Sequence, residues 1–318
     1  MGDLPPDESR GPTLNIVCWL GAGISTTTVL LRLYSRRYLT RNLDWSDALI
    51  VIAAILHIAS TALSSVAISY GAGRHLIYIP PENITPVLYY STILQPVGIP
   101  AFCIPKLSVV LFIVKLMGVE QKGAWLLWGS IGILFACHIL SPVMLFAQCN
   151  PPDHLWHTME PAKCLPSEVL HTITYVGGAW SAFTDLLLAV YPAVILRKVR
   201  VKRSKKIGII LIMGLGFFAM IAAIIKTTQL SNNNSPDASY DLFGLILTTY
   251  IETDIVIMAA CAPTLPKLFK KLFRKDEDSK YNPTYNSRSN PRGYQAFDSE
   301  NNRIVALEAL PIKVDPRQ

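Results

Sequence analysis

Charged residues are scarce in this chain: Asp, Glu, Lys and Arg together make up 16% of its 318 residues, against about 25% in soluble globular proteins. With 51% of the residues hydrophobic, a water-soluble domain is excluded and a membrane protein is indicated. Other absences narrow the chemistry. There is no Gly-rich phosphate loop, no His-Glu-x-x-His, and no Asp-rich pair of the kind that binds magnesium-diphosphate. The common nucleotide, zinc-protease and diphosphate chemistries therefore have no motif to rest on, and no cofactor or metal centre is expected.

What the chain has in quantity is long apolar runs. A membrane-crossing helix needs about 20 such residues. Seven runs reach that length: Leu14–Tyr34, Ser46–Tyr70, Val87–Met117, Ala124–Ala147, Glu168–Leu196, Ile207–Leu230 and Asp241–Ala262. The expected fold class is an all-α membrane protein, a seven-transmembrane helix bundle. The first thirteen residues are polar and Pro-rich, with no cleavable signal peptide evident, so the first run serves as its own insertion signal.

The basic residues fall unevenly between the runs. Seventeen lie on one side: Arg36, Arg37, Arg41, Lys115 and Lys122, seven between Arg197 and Lys206, and five between Lys267 and Lys275. The other side carries three, Arg10, Arg74 and Lys163. Positive residues stay cytoplasmic, which puts the N-terminus outside and the C-terminus inside. The net charge of +7 is thus a topology signal, and no nucleic acid is expected as a partner. The cluster Arg197–Lys206 reads first as a topology determinant that attracts anionic headgroups, and second as a contact for a cytoplasmic signalling partner. The organisation expected is an extracytoplasmic segment 1–13, a membrane domain 14–272 and a disordered cytoplasmic tail 273–318, whose polar Asn-, Ser- and Pro-containing composition cannot build a core. Either the plasma membrane or an endomembrane suits such a protein.

Four of the six cysteines fall inside the spans, and only Cys149 and Cys164 lie in an outer loop, CNPPDHLWHTMEPAKC. A disulfide between them is expected, since oxidation is permitted there. A zinc site using His154 and His157 is the alternative, although the spacing fits no common structural pattern. Asn83-Ile84-Thr85 is a glycosylation sequon in the outer loop before span three.

The few charges within the spans share a depth. Counted from the cytoplasmic end of each span, Lys106 lies 11 residues up, Asp185 11, Glu252 10 and His57 11. At 1.5 Å per residue that is about 16 Å, near the middle of a core roughly 30 Å thick. Charges at such a depth face the bundle interior and pair, so Lys106 is expected to meet Asp185 or Glu252, with a proton or a cation balancing the second carboxylate. Asp254 cannot share the face of Glu252, because residues two apart on a helix are about 200° apart. Ser181, Thr248 and Tyr250 stand one turn from these acids. The bland reading of the layer is a buried ion pair that fixes helix register. For His57 and His138 it is a neutral imidazole hydrogen-bonded between helices.

Two seven-helix chemistries lack their residues. Span seven, DLFGLILTTYIETDIVIMAACA, has no lysine to form a Schiff base, so a retinal pigment is not expected. Span three ends KLMGVEQ without an acidic-Arg-aromatic triplet, and span seven ends AACAPTLPKL without Asn-Pro-x-x-Tyr. Gly21 and Gly23, like Gly214 and Gly216, read as close-packing positions between helices.

Taken in order, LDWSDALIV, YGAGRH, PKLSVVLFIVKLMG, the Cys149–Cys164 loop, TDLLLAVYP, KKIGIILIMGLGFFAMIAAIIK and IETDIVIMAACAPTLPKL resemble the fungal rhodopsin-domain family of integral membrane proteins, which includes satratoxin-cluster-type and receptor-like members. The resemblance spans about residues 14 to 272. It implies that Lys106, Asp185 and Glu252 occupy the family's recurrent polar positions. It also implies a receptor-like role beside a fungal secondary-metabolite pathway, and on that role the first functional expectation is an outer-facing bundle that binds a small lipophilic ligand above the charged layer. Where the family often has adjacent acidic residues before span two, this chain has Asp44 and Asp47, and Lys226 stands where an Arg often ends span six. Two alternatives stay open: an intramembrane enzyme that cyclises or isomerises a lipophilic intermediate with Glu252 or Asp185 as acid and Lys106 stabilising negative charge, and a proton-coupled transporter.

Overall fold

The computed structural model describes residues 6–40, 43–117, 124–157, 163–196, 203–230, 238–266, 295–298 and 303–306. Seven helices dominate: α1 Gly11–Tyr34, α2 Trp45–Ser69, α3 Pro81–Met117, α4 Ala124–Ala147, α5 Ser167–Leu196, α6 Arg203–Leu230 and α7 Ala238–Cys261. All seven contain stretches long and apolar enough to cross a membrane. The protein is therefore a multi-pass integral membrane protein in contact with the bilayer. In hydrocarbon every backbone N–H and C=O must be met within the chain, which is why apolar runs of this length become helices.

Local sequence sets the ends. Pro12 opens α1 in its first turn, where the missing N–H removes no helical bond. At the start of α2 the Asp47 carboxylate accepts the backbone N–H of Asp44 at 3.0 Å. The turn after α2 needs Gly71 and Gly73, which sit at φ +114° and +90°, a region costly for side-chain-bearing residues. Gly73 accepts from the Arg10 N–H at 3.0 Å and so ties the start of α1 to the end of α2. Helix α3 starts at Pro81, six residues before the apolar run from Val87. Its polar first turn extends past the apolar stretch, and Asn83 of the sequon stands half-buried in that turn rather than in a free loop.

Sequential neighbours pack side by side, α1 closes against α7, and α3 runs through the middle with α2, α4, α5 and α7 around it. The inner faces meet at Ile50, Val110, Ile113, Leu127, Leu134 and Ile257. Large apolar side chains such as Leu20, Phe217 and Phe218 point outward and are more than half exposed, as lipid contact requires. Trp45, Trp125 and Trp128 are exposed around the end that holds Asp44, where indole rings suit the headgroup layer. At the other end Cys149 and Cys164 form the disulfide and pair as β1 (Cys149–Asn150) and β2 (Lys163–Cys164), with Cα atoms 4.1 Å apart. Their sulfurs are bonded to each other, so they are not available as zinc thiolates. Trp156 of this loop stands edge-on to Tyr89 of α3, centroids 5.4 Å apart.

Of the four glycines read as packing positions, two fill that role. A Cβ on Gly21 would meet the Asp254 carboxylate at 2.0 Å and one on Gly216 would meet Ala189 at 3.1 Å, whereas nothing lies within 4 Å of Gly23 or Gly214. Adjacent glycines two apart cannot both face the same neighbour, which is the reason.

Residues 274–318 form a separate unit. In it an antiparallel pair, β3 (Gln295–Asp298) with β4 (Arg303–Ala306), is described within the stretch expected to lack regular structure. Most of the basic cluster, Arg197–Lys202, and the residues from Lys267 to Tyr294 lie outside the described residues.

Candidate functional site

Lys106 is fully buried at the centre of α3. Its Nζ donates to Ser181 Oγ at 2.7 Å, to Asp185 Oδ2 at 2.9 Å and to Glu252 Oε1 at 3.3 Å. Ser181 in turn donates to Glu252 Oε1 at 3.1 Å. Ser181 and Asp185 are one turn apart on α5, so a single face of that helix presents both. The second Glu252 oxygen accepts from Lys226 Nζ of α6 at 2.5 Å. Two ammonium groups therefore face two carboxylates, and neither a proton nor a bound cation is needed for balance. Both Nζ atoms also lie over the Phe102 ring, 4.2 Å and 4.5 Å from its centroid, a favourable cation–π placement in a dry site.

Sequence reasoning missed Lys226 as a member of this cluster. It stands four residues before the end of span six and was not counted with the layer, but a four-carbon stem lets an ammonium reach well away from its Cα. The signals were a lysine within an apolar run and the basic residue that the family resemblance expects near the end of span six.

His57 is not part of the Lys106 cluster, although it was expected in the same layer. Its Nε2 lies 2.9 Å from Asp254 Oδ1, and beside it Tyr250 shares a 2.9 Å hydrogen bond with Ser60. Depth fixes height in the bundle, not direction. Asp254 faces away from Glu252 around α7 and so toward α1 and α2, where His57 waits. Thr248 bonds back to Gly244 of its own helix at 2.8 Å and does not join either group.

A third set of charges closes the Asp44 end. Arg32 is fully buried and donates to Asp47 Oδ1 at 2.8 Å, to Ser46 Oγ at 3.0 Å and to the Ala260 carbonyl, joining α1, α2 and α7. Lys115 of α3 holds both oxygens of Asp44 at 2.7 Å. That hydrogen bond and charge keep the Asp44 carboxyl below its ordinary value of 3.8.

On the disulfide side of the Lys106 cluster, α3 and α4 leave a cavity of about 320 Å³, open laterally and lined by Ile99, Ile139, Val143 and Phe146, three prolines and His138. The His138 ring lies 5.3 Å from Phe102.

A family model described as the fungal rhodopsin domain matches residues 31–271. The chain belongs to that family. The chain is similar to the fugralins biosynthesis cluster protein 2 of Gibberella zeae, 25% identical over 85% of this chain and 68% of its own length. A SAT4 family membrane protein of Emericella nidulans is 24% identical over 70% of this chain, which spans about half, 55%, of that protein's length. The polyenoic acids biosynthesis gene cluster protein Ba17b of Metarhizium anisopliae is 22% identical over 83% of this chain and 76% of its own. No solved structure matches.

Proposed function

We propose that this chain is a receptor-like membrane protein that serves a secondary-metabolite pathway, with the buried four-charge cluster as its two-state element. One observation carries the reading. Lys106, Asp185, Lys226 and Glu252 come from four helices and neutralise one another, so a shift of any one helix must exchange ion-pair partners. Discrete repacking of that kind is how a bundle switches rather than flexes. The biosynthesis-cluster names of two relatives support the pathway association. The Asp44 end is taken as cytoplasmic, with the loop around Arg197–Lys206 as the contact for a signalling partner and Asn83 on the outer side.

Glu252 is engaged by three donors and offers no proton in this geometry, which favours a receptor over an enzyme using Glu252 as its acid. The test is a deletion strain, read for transcripts of the coexpressed biosynthetic genes and for their metabolites. A receptor is expected to change transcripts across the pathway, and a Lys106→Met copy present in the membrane is expected to behave like the deletion. Accumulation of a single intermediate with unchanged transcripts would overturn the receptor reading.

A further inference from the structure

Residues 7–10 cross the disulfide end of the bundle and touch two elements distant in the chain. Asp7 accepts from the Arg74 guanidinium with both oxygens, at 2.8 and 2.7 Å. Ser9 and Arg74 form an antiparallel bridge beside the bond from the Arg10 N–H to Gly73. Backbone lies on backbone here. A Cβ on Gly11 would meet the Ala72 carbonyl oxygen at 2.8 Å, and one on Gly73 would meet the Gly11 nitrogen at 2.9 Å. From this seat on the turn after α2, the Arg10 side chain reaches α7. Its guanidinium carbon lies 4.1 Å from the ring centroid of Tyr240 and 5.7 Å from that of Phe243. The His75 ring stacks on Tyr240 at 3.9 Å, tilted by 17°. A ring has two faces, and an imidazole that close fills one, so Arg10 covers the other. The first turn of α7 is therefore gripped between the N-terminal segment and the turn after α2. Beyond the grip, residues 243–249 of α7 are all half-buried, whereas residues 252–254 are buried.

We propose that residues 7–10 are a releasable strap that holds the loosely packed half of α7 and so keeps Glu252 with its present partners. Glu252 lies about 18 Å along the same helix from Tyr240. The contacts that close the strap are exposed, Asp7 by 48% and Arg74 by 36% of their side chains, and exposed ion pairs and cation–π contacts are individually weak. Opening the strap therefore needs little free energy. The helix it frees bears on buried charges whose pairing changes only in discrete steps. The regulatory role deepens the receptor reading and rests on it, whereas the hold on α7 does not.

Hydrogen exchange of the full chain in lipid nanodiscs, resolved by mass spectrometry, tests the strap. Arg10→Ala is expected to speed exchange in residues 240–247 about two- to fivefold, the size of one exposed cation–π contact, and to leave α4 and α5 unchanged. Unchanged exchange in that stretch, or acceleration spread evenly from α1 to α7, would overturn the proposal. Raising salt from about 0.01 M to about 1 M shortens the screening length from about 30 Å to about 3 Å and is expected to speed the same stretch in the unsubstituted chain. No acceleration there would also overturn it, so a variant that fails to fold leaves the matter decided. In a strain carrying Arg10→Ala in place of the unsubstituted copy, pathway transcripts are expected to differ between the two. Faster exchange with identical transcripts would overturn the regulatory step. If deletion itself leaves transcripts unchanged, the receptor reading fails, and the hold on α7 stands or falls by exchange alone.

Discussion

At Glu252 two ammonium groups and a hydroxyl converge on one buried carboxylate, and removing a single partner leaves a charge unmatched where no water can reach it. Lys226→Met is expected to destabilise the protein by about 3–5 kcal/mol, as loss of one member of a buried pair does. Adding Glu252→Gln is expected to restore at least about 2 kcal/mol, because Lys106 and Asp185 then balance each other. Denaturant titration in detergent measures both, and simple additivity of the two losses would show that they are not coupled. Gly21 offers a second contrast. Gly21→Ala puts a methyl into the Asp254 carboxylate and is expected to cost about 1–3 kcal/mol as an overpacked site. Gly23→Ala, two residues on with nothing near it, is expected to stabilise α1 by up to about 1 kcal/mol through lower chain entropy. Melting temperatures that fall alike for both would contradict the packing described.

At the level of elements, the tie between α2 and α3 through Asp44 and Lys115 is pH-sensitive in a defined sense. The folded carboxyl titrates below its ordinary 3.8, so the stability it contributes is complete above that value and is lost as pH falls through the lowered one. Lys115→Ala is expected to lower stability slightly above about pH 4, by under about 1 kcal/mol because the lysine is largely exposed, and to leave it unchanged in stronger acid, so that the acid limb flattens. An unaltered acid limb would assign it to other carboxylates. The loop between α4 and α5 makes a separate contribution. Its disulfide closes 15 residues, and Cys164→Ser is expected to cost about 3 kcal/mol, the loop-closure value for that length, as a fall in melting temperature equal to that produced by reductant.

For the whole molecule, seven crossings put the two termini on opposite faces of the bilayer. The bias of seventeen basic residues to three predicts that a tag before residue 1 is protected in intact microsomes while one after residue 318 is digested by added protease. The reverse pattern would refute the orientation. The helices wrap α3, and among the described residues buried charge groups lock the bundle: Arg32 with Asp47 at one end, His57 with Asp254 between α2 and α7, and the Lys106 cluster across α3, α5, α6 and α7.

Sequence alone determined the class, the seven spans, the Cys149–Cys164 loop and the common height of Lys106, Asp185 and Glu252. Those properties depend on length, apolar periodicity and a rise of 1.5 Å per residue, all of which are local. Tertiary structure decided direction. It turned His57 toward Asp254, brought Lys226 from the far end of α6 onto Glu252, buried Arg32 against Ala260 and Asp47, and opened the cavity beside His138. Each depends on how helices are rotated against neighbours distant in the chain, and a flexible lysine or arginine stem adds reach that counting along one helix does not include.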